Sequence, residues 1–231
     1  MTKIPKQLFF VDTRGLNPFH QARINLHQEL LPDFDIKLYD NDDCINFLES
    51  NYGATHVETF LKIRHGAHKA DFFRYCILYK KGGYYLDTDN FLTKKGAAYV
   101  QSLAEEYVFL SMVRDSFPKH NPGVMAQSFI AAAPNSPILD ELISHMIKNP
   151  HPPKEVGLFR FHFYIRYFYA YLQRILKEER LLSETPYSYN NQKMFFIHPL
   201  DKKIIKVGWK NKTGSDYTPE EWKEISDRNW N

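Results

Sequence analysis

Asp87 and Asp89 stand two residues apart, directly after the apolar run Tyr84-Tyr85-Leu86. Two carboxylates at i and i+2 on extended chain point to one side, where both can meet one divalent cation. With Asp89 on the ion and Asp87 beside it, such a pair can hold a cation against a diphosphate. The pattern is short, and the chain contains it three times, at Asp33/Asp35, Asp40/Asp42 and Asp87/Asp89. The first two read as solvated turn residues. Only the third follows a strand, and ligands of open α/β sheets bind outside the carboxyl ends of strands. Upstream, Asp71 and Arg74 share a helix face at i, i+3 and could both project toward that strand end. The plain alternative is a surface ion pair worth tenths of a kcal/mol beside a solvated acidic turn. His65 and His68 are also three apart, but with no third ligand nearby in sequence they read as surface or helix-start residues. Walker A, G-x-G-x-x-G and G-x-S-x-G patterns are absent, which counts against P-loop, dinucleotide and serine-hydrolase chemistry.

The elements that would position these residues alternate. Gln7–Val11 is an apolar run bounded by Pro5 and the Asp12–Gly15 turn, a buried strand. Asn17-Pro18 opens a helix to about Leu31; 36–39 is a second strand, and Asp40/Asn41 cap a helix through about Tyr52. A helix over 67–81 ends at Gly82-Gly83, where φ > 0 is easiest for glycine. Strands follow at 107–113 and 128–133, then a helix over 138–148 and a boundary at Pro150, Pro152 and Pro153. An aromatic helix over about 158–180 and strands near 194–197 and 203–207 complete the chain. Alternation of this kind argues for a parallel α/β sheet. In the aromatic helix, Phe161, Ile165, Phe168 and Leu172 recur at helical spacing, which favours core packing and leaves peripheral membrane contact as the alternative.

Composition bounds the function classes. The 231 residues are 43% apolar and 25% charged, the balance of a globular protein large enough to fold without staples. Cys44 and Cys76 are the only cysteines, which excludes a disulfide scaffold and a Cys-rich zinc module. A net charge of +3, spread along the chain, does not make a nucleic-acid surface. No run reaches a membrane span and the start lacks a signal-peptide core, so the expected address is cytoplasmic, in a bacterial or viral-encoded protein. On the same ground the sequon Asn211-Lys-Thr213 reads as chance.

The stretch from His68 to Asp89 (HKADFFRYCILYKKGGYYLDTD) resembles the signature of the DxD-containing, sugar-binding-region glycosyltransferases, glycosyltransferase family 32. Ile4-Pro5-Lys6, Lys37-Leu38-Tyr39-Asp40, and Phe129–Pro134 with Ser136-Pro137 resemble further parts of that pattern. The resemblance implies a GT-A fold: an α/β, Rossmann-like, mixed and mainly parallel sheet flanked by helices, with a helical, aromatic C-terminal appendage. It implies one domain, with residues 1–149 as nucleotide-sugar-binding core and 150–231 as an acceptor-side extension. It also implies a nucleotide-sugar donor (UDP-sugar before GDP-sugar), Mn²⁺ or Mg²⁺, and hexose transfer with retention to a glycan, lipid-linked or protein acceptor. By position, Asp89 would ligate the metal, with Asp87 in the metal shell and on the ribose or sugar hydroxyls. These two are the expected catalytic pair. Tyr85 would lie against the nucleoside, Asp71 and Arg74 would hold the donor sugar, and Val11 and Asp12 would line the base pocket. The chain departs from the family at Phe9, where a His is common, and at Asp12, where a Trp stacks near the base. His198 and Trp209 are the candidates for the family's late site elements. A catalytically silent module that binds nucleotide-sugar or glycan is the alternative.

Overall fold

Strand β1 (Gln7–Val11) lies between β2 (Asp35–Tyr39) and β3 (Gly83–Leu86) and is parallel to both. In this computed structural model, residues 3–13, 18–114, 124–151, 163–198 and 204–206 are described. Helix α1 (Pro18–Leu30) joins β1 to β2, and α2 (Asn41–Asn51), α3 (Ala54–Lys62) and α4 (Gly66–Lys81) lead from β2 to β3. A short β4 (Asn90–Leu92) and α5 (Lys94–Ala104) precede β5 (Phe109–Arg114) and β6 (Val124–Ala132). Helices α6 (Pro137–Lys148) and α7 (Phe163–Leu176), the hairpin β7 (Thr185–Tyr189) and β8 (Gln192–Ile197), and β9 (Ile204–Lys206) follow.

The main sheet has seven strands in the order β2-β1-β3-β6-β5-β8-β7, and β4 pairs with β9 in a two-stranded sheet. Only β6 and β7 run against the other strands of the main sheet. The expected mixed, mainly parallel sheet flanked by helices is therefore the architecture of the chain. Within the span 150–231, expected as an appendage, the described hairpin β7–β8 enters this sheet: β8 pairs parallel with β5, and β7 closes the edge. Pro186 is tolerated in β7 because an edge strand needs hydrogen bonds on one side only.

Side chains alternate across the strands and split the core in two. Phe9, Val11, Tyr85, Ile130 and Ala132 face one cluster, together with α2, α3, α4, α6 and α7. Leu8, Phe10, Tyr84, Leu86, Phe129 and Ala131 face the other, with α5. In α7, Phe168 and Leu172 are fully buried, the core role that their spacing predicted, whereas Ile165 is half-buried and Phe161 lies outside the described residues. Each such aromatic or aliphatic side chain contributes roughly 1.5–3 kcal/mol by burial. The helix stops at Leu176, short of the expected Arg180, because Lys177 takes a left-handed φ of 58°. Cys44 and Cys76 are free and buried.

Helix α4 fixes the site. It is packed against β1, β3 and β6 on one side and α2, α3 and α6 on the other, so apolar residues run all round it. It ends at Gly82, φ 65°, and Gly83, φ 110°. A Cβ on Gly82 would lie 2.7 Å from Pro134 Cδ, and one on Gly83 would lie 2.8 Å from the Gln7 carbonyl. The turn from α4 into β3 is therefore one that only glycine fits.

Candidate active site

The D-x-D does not lie on extended chain. Asn90 N–H donates to the Asp87 carbonyl at 2.9 Å, which closes a β-turn with Thr88 and Asp89 at its centre. The turn, not strand alternation, brings the two carboxylates to the same place, and the extended-chain expectation is corrected to that extent. Asp87 N–H is tied to the Ser128 carbonyl at 2.9 Å, so β6 anchors the start of the turn. Asp87 and Asp89 are both half-buried.

A cleft of about 340 Å³ opens at the carboxyl ends of β1 and β3. Of the residues singled out in the sequence, Val11, Asp12, Arg74, Tyr85, Asp87 and Asp89 line it. Asp71 does not line it but reaches it through Arg74. His198 ends β8, three strands from β3, where its N–H donates to Glu184 Oε1 at 3.1 Å, and it is not among the lining residues. Trp209, Asn17 and the Asn211–Thr213 sequon lie outside the described residues. Thr13, Gly66, Ala67, Ala70 and Thr88 also line the cleft and were not anticipated. Small residues at the start of α4 carry no chemical signal of their own.

Arg74 is the hub. Its Nη2 lies 3.0 Å from Asp71 Oδ1 and 3.2 Å from Asp87 Oδ1. Its Nη1 donates to the Gln127 carbonyl at 2.5 Å and its Nε to the Ala70 carbonyl at 3.3 Å. Tyr85 completes the arrangement from below, its ring 4.3 Å from the guanidinium and its hydroxyl donating to Asp87 Oδ1 at 2.8 Å. Asp71 is 8% exposed and Arg74 4%, so this is not the solvated i, i+3 pair of the plain reading. Both bonds to Asp87 fall on Oδ1, which leaves Oδ2 to a ligand in the cleft. Burial pushes Asp71 up to about 6, with Arg74 opposing the shift and Asp87 adding to it. Burial works against the Arg74 charge as well, but Tyr85, Asp87 and Asp71 carry its pKa above the ordinary arginine value. The guanidinium is permanently charged.

Asp12 lies at the end of β1, its N–H donating to the Tyr39 carbonyl at 3.0 Å. Its Oδ2 is 3.2 Å from His20 Nε2, with both side chains almost wholly buried. His65 is the backbone N-cap of α4, as expected of a helix-start residue. His68, one turn later, is not at the surface as its spacing allowed but buried, because α4 is packed on both sides, with its ring edge-on to Tyr164 at 5.1 Å.

The donor set at the D-x-D is all oxygen, which suits a hard divalent cation. Among the described residues no group of three or more His, Cys, Asp or Glu side chains could hold a metal ion. Two carboxylates without a protein cage fit a cation that takes its remaining ligands from a bound phosphate and water.

Residues 20–110 match the family model for the glycosyltransferase sugar-binding region containing a DXD motif. That span holds Asp71, Arg74, Tyr85, Asp87 and Asp89 and excludes Val11 and Asp12. An uncharacterised glycosyltransferase of Acanthamoeba polyphaga mimivirus is 32% identical over 132 residues, which are 57% of this chain and 48% of that protein. The chain thus spans about half the length of the curated relative it matches. Among solved structures, the PaToxG glycosyltransferase is similar at 14% identity, covering 75% of this chain and 70% of that one, with a TM-score of 0.49. The apo-form glycosyltransferase GlyE of Streptococcus pneumoniae is similar at 13% identity over 96% of this chain and 60% of that one, with a TM-score of 0.37. No helix of the described residues is long and apolar enough to cross a membrane.

Proposed function

We propose, for a chain whose residues 20–110 match the family model of the DXD-containing glycosyltransferase sugar-binding region, a metal-dependent hexosyltransferase. It takes a hexose from a nucleotide-sugar, a UDP-sugar before a GDP-sugar, and passes it with retention to a hydroxyl of a glycan, lipid-linked or protein acceptor. One domain does this, residues 1–149 holding the donor and 150–231 the acceptor side. The observation that carries the reading is the Asp71–Arg74–Asp87 cluster beside Asp89, at the carboxyl ends of two parallel strands. A buried cluster of this kind costs several kcal/mol in desolvation, and a charged donor in the cleft is what makes use of it.

Asp89 would hold Mn²⁺ or Mg²⁺, with Asp87 Oδ2 beside it. Such a cation supplies positive charge against the diphosphate as it departs. Asp71 and Arg74 would orient the sugar, Arg74 from the wall of the cleft and Asp71 through Arg74, contributing through position. Because four bonds hold Arg74 to the protein, it reaches the donor already oriented, and preorganised charge loses nothing to rearrangement during reaction. Val11 and Asp12 would border the base and Tyr85 the nucleoside. Within the cleft the lining carboxylates are Asp12, Asp87 and Asp89, and Asp12 is engaged by His20. Among the described residues that line the cleft, this leaves no further carboxylate for a glycosidase-type nucleophile. Attack by the acceptor from the leaving-group face, with a phosphate oxygen taking its proton, agrees with that set.

The test is an NMR time course of donor hydrolysis in the presence of Mn²⁺. An α-linked donor is expected to release the α-anomer first. Release of the β-anomer would overturn retention, and binding of the donor without any turnover would favour a silent binding module.

A further inference from the structure

Helix α1 turns a polar stripe toward the sheet. His20, Arg23 and His27 share one helix face, at i, i+3 and i+7, and all three are buried. Each grips a different stretch of chain at the border of the cleft. His20 meets Asp12 at the end of β1. Arg23 Nη1 donates to the Asn90 carbonyl at 3.1 Å, one residue beyond Asp89, and the guanidinium lies in the field of the Asp89 carboxylate. His27 Nε2 accepts from Leu92 N–H at 3.3 Å, while its Nδ1–H donates to the Arg23 carbonyl at 2.9 Å. That pair of bonds requires the neutral ring with the proton on Nδ1.

A helix packed on a sheet ordinarily buries an apolar stripe, and taking a guanidinium out of water is costly. Arg23 is nonetheless 6% exposed. What it holds accounts for its presence. The D-x-D turn is gripped from both faces of the sheet: Arg74 reaches Asp87 from α4, and Arg23 reaches Asn90 from α1. Asn90 N–H closes the same turn on the Asp87 carbonyl, so the two arginines act on opposite ends of one four-residue loop.

We infer that Arg23, backed by His27, is a positioning residue for Asp89: it fixes the Asn90 carbonyl and with it the turn on which Asp89 sits. The inference rests on the reading above, in which Asp89 holds the cation. Groups that orient a ligating carboxylate commonly change metal affinity tenfold or more when removed. Lysine is an imperfect substitute, because its flexible ammonium does not reproduce the fixed, planar donor geometry that a guanidinium brings to the Asn90 carbonyl.

The experiment titrates Mn²⁺ in the presence of UDP by calorimetry, for the wild type, Arg23→Gln and Arg23→Lys, with a thermal melt of each. Arg23→Gln is expected to raise the Mn²⁺ concentration for half-saturation about tenfold, and Arg23→Lys about threefold. Lowered melting temperatures with the wild-type Mn²⁺ midpoint in both variants would overturn the inference and leave Arg23 a purely structural residue. If Arg23→Gln does not fold, Arg23→Lys decides by the same criterion. A wild-type protein that binds UDP with no dependence on Mn²⁺ would instead overturn the functional reading beneath it.

Discussion

Arg74 shows how a side chain proposed to touch the donor is also a structural keystone. Its bonds to Asp71, Asp87, Ala70 and Gln127 leave the two carboxylates compensated inside the protein. Arg74→Lys keeps the charge but loses the fork, so it strands at least one buried carboxylate. A stability loss of about 3 kcal/mol is predicted by urea denaturation; a loss within error would show that the cluster is slack. Asp71 should behave in the opposite way. Burial already pushes its carboxyl up to about 6, so Asp71→Asn sheds a costly charge and keeps an oxygen for Arg74. The melting temperature at pH 7.5 is predicted to hold or rise while donor turnover falls about a hundredfold, by loss of sugar positioning. A drop in both would mean that the charge of Asp71 serves the fold. The i, i+3 spacing put Asp71 and Arg74 on one helix face toward the strand end, and only the family resemblance implied that they hold the donor sugar. Their burial and the clamp on the Gln127 carbonyl were not legible, since no side-chain type marks a backbone acceptor in a distant strand.

Among the elements, α4 and the turn into β3 were the most legible, because an apolar run ending in Gly-Gly and followed by Tyr-Tyr-Leu admits few other readings. Gly82 carries that geometry. Gly82→Ala is predicted to cost 2 kcal/mol or more, since a positive φ costs roughly 1–2 kcal/mol and its Cβ would meet Pro134 as well. Unchanged urea stability would contradict the tight turn. Helix α1 was legible only in its bounds, since polar residues at helical spacing read equally well as a solvated face. Its His27 gives a signed prediction. Burial, followed by the Arg23 charge and offset in part by the bond to the Arg23 carbonyl, lowers its pKa from 6.5 to about 4. Between those values the unfolded chain binds a proton that the folded chain does not. His27 therefore stabilises the fold above pH 6.5 and loses that contribution as pH falls toward 4. The unfolding free-energy difference between wild type and His27→Gln should shrink from pH 7 to pH 4.5, and a constant difference would contradict a neutral buried ring. The elements that went unread, α3, α5, β4 and β7, are short or owe their state to distant partners. Strand β4 is three residues long, and its partner β9 lies far along the chain at Ile204–Lys206.

At the scale of the molecule, the sheet places one acidic turn at the ends of β1 and β3 and closes arginines on it from both faces. Alternating elements made a parallel α/β sheet legible, but neither the antiparallel β6 nor the way β7 and β8 extend the far edge was. That edge depends on β8 pairing with β5 across a long sequence separation, which no local pattern records. The central claim is that this cleft works on a nucleotide-sugar through Asp89. The most direct measurement is release of free sugar from a panel of UDP- and GDP-hexoses with Mn²⁺, against EDTA and Asp89→Asn. The account predicts metal-dependent release from one donor, lost with EDTA and at least a hundredfold lower in Asp89→Asn, at an unchanged or raised melting temperature. Silence across the panel with no nucleotide-induced thermal shift, or equal turnover in wild type and Asp89→Asn, would contradict it.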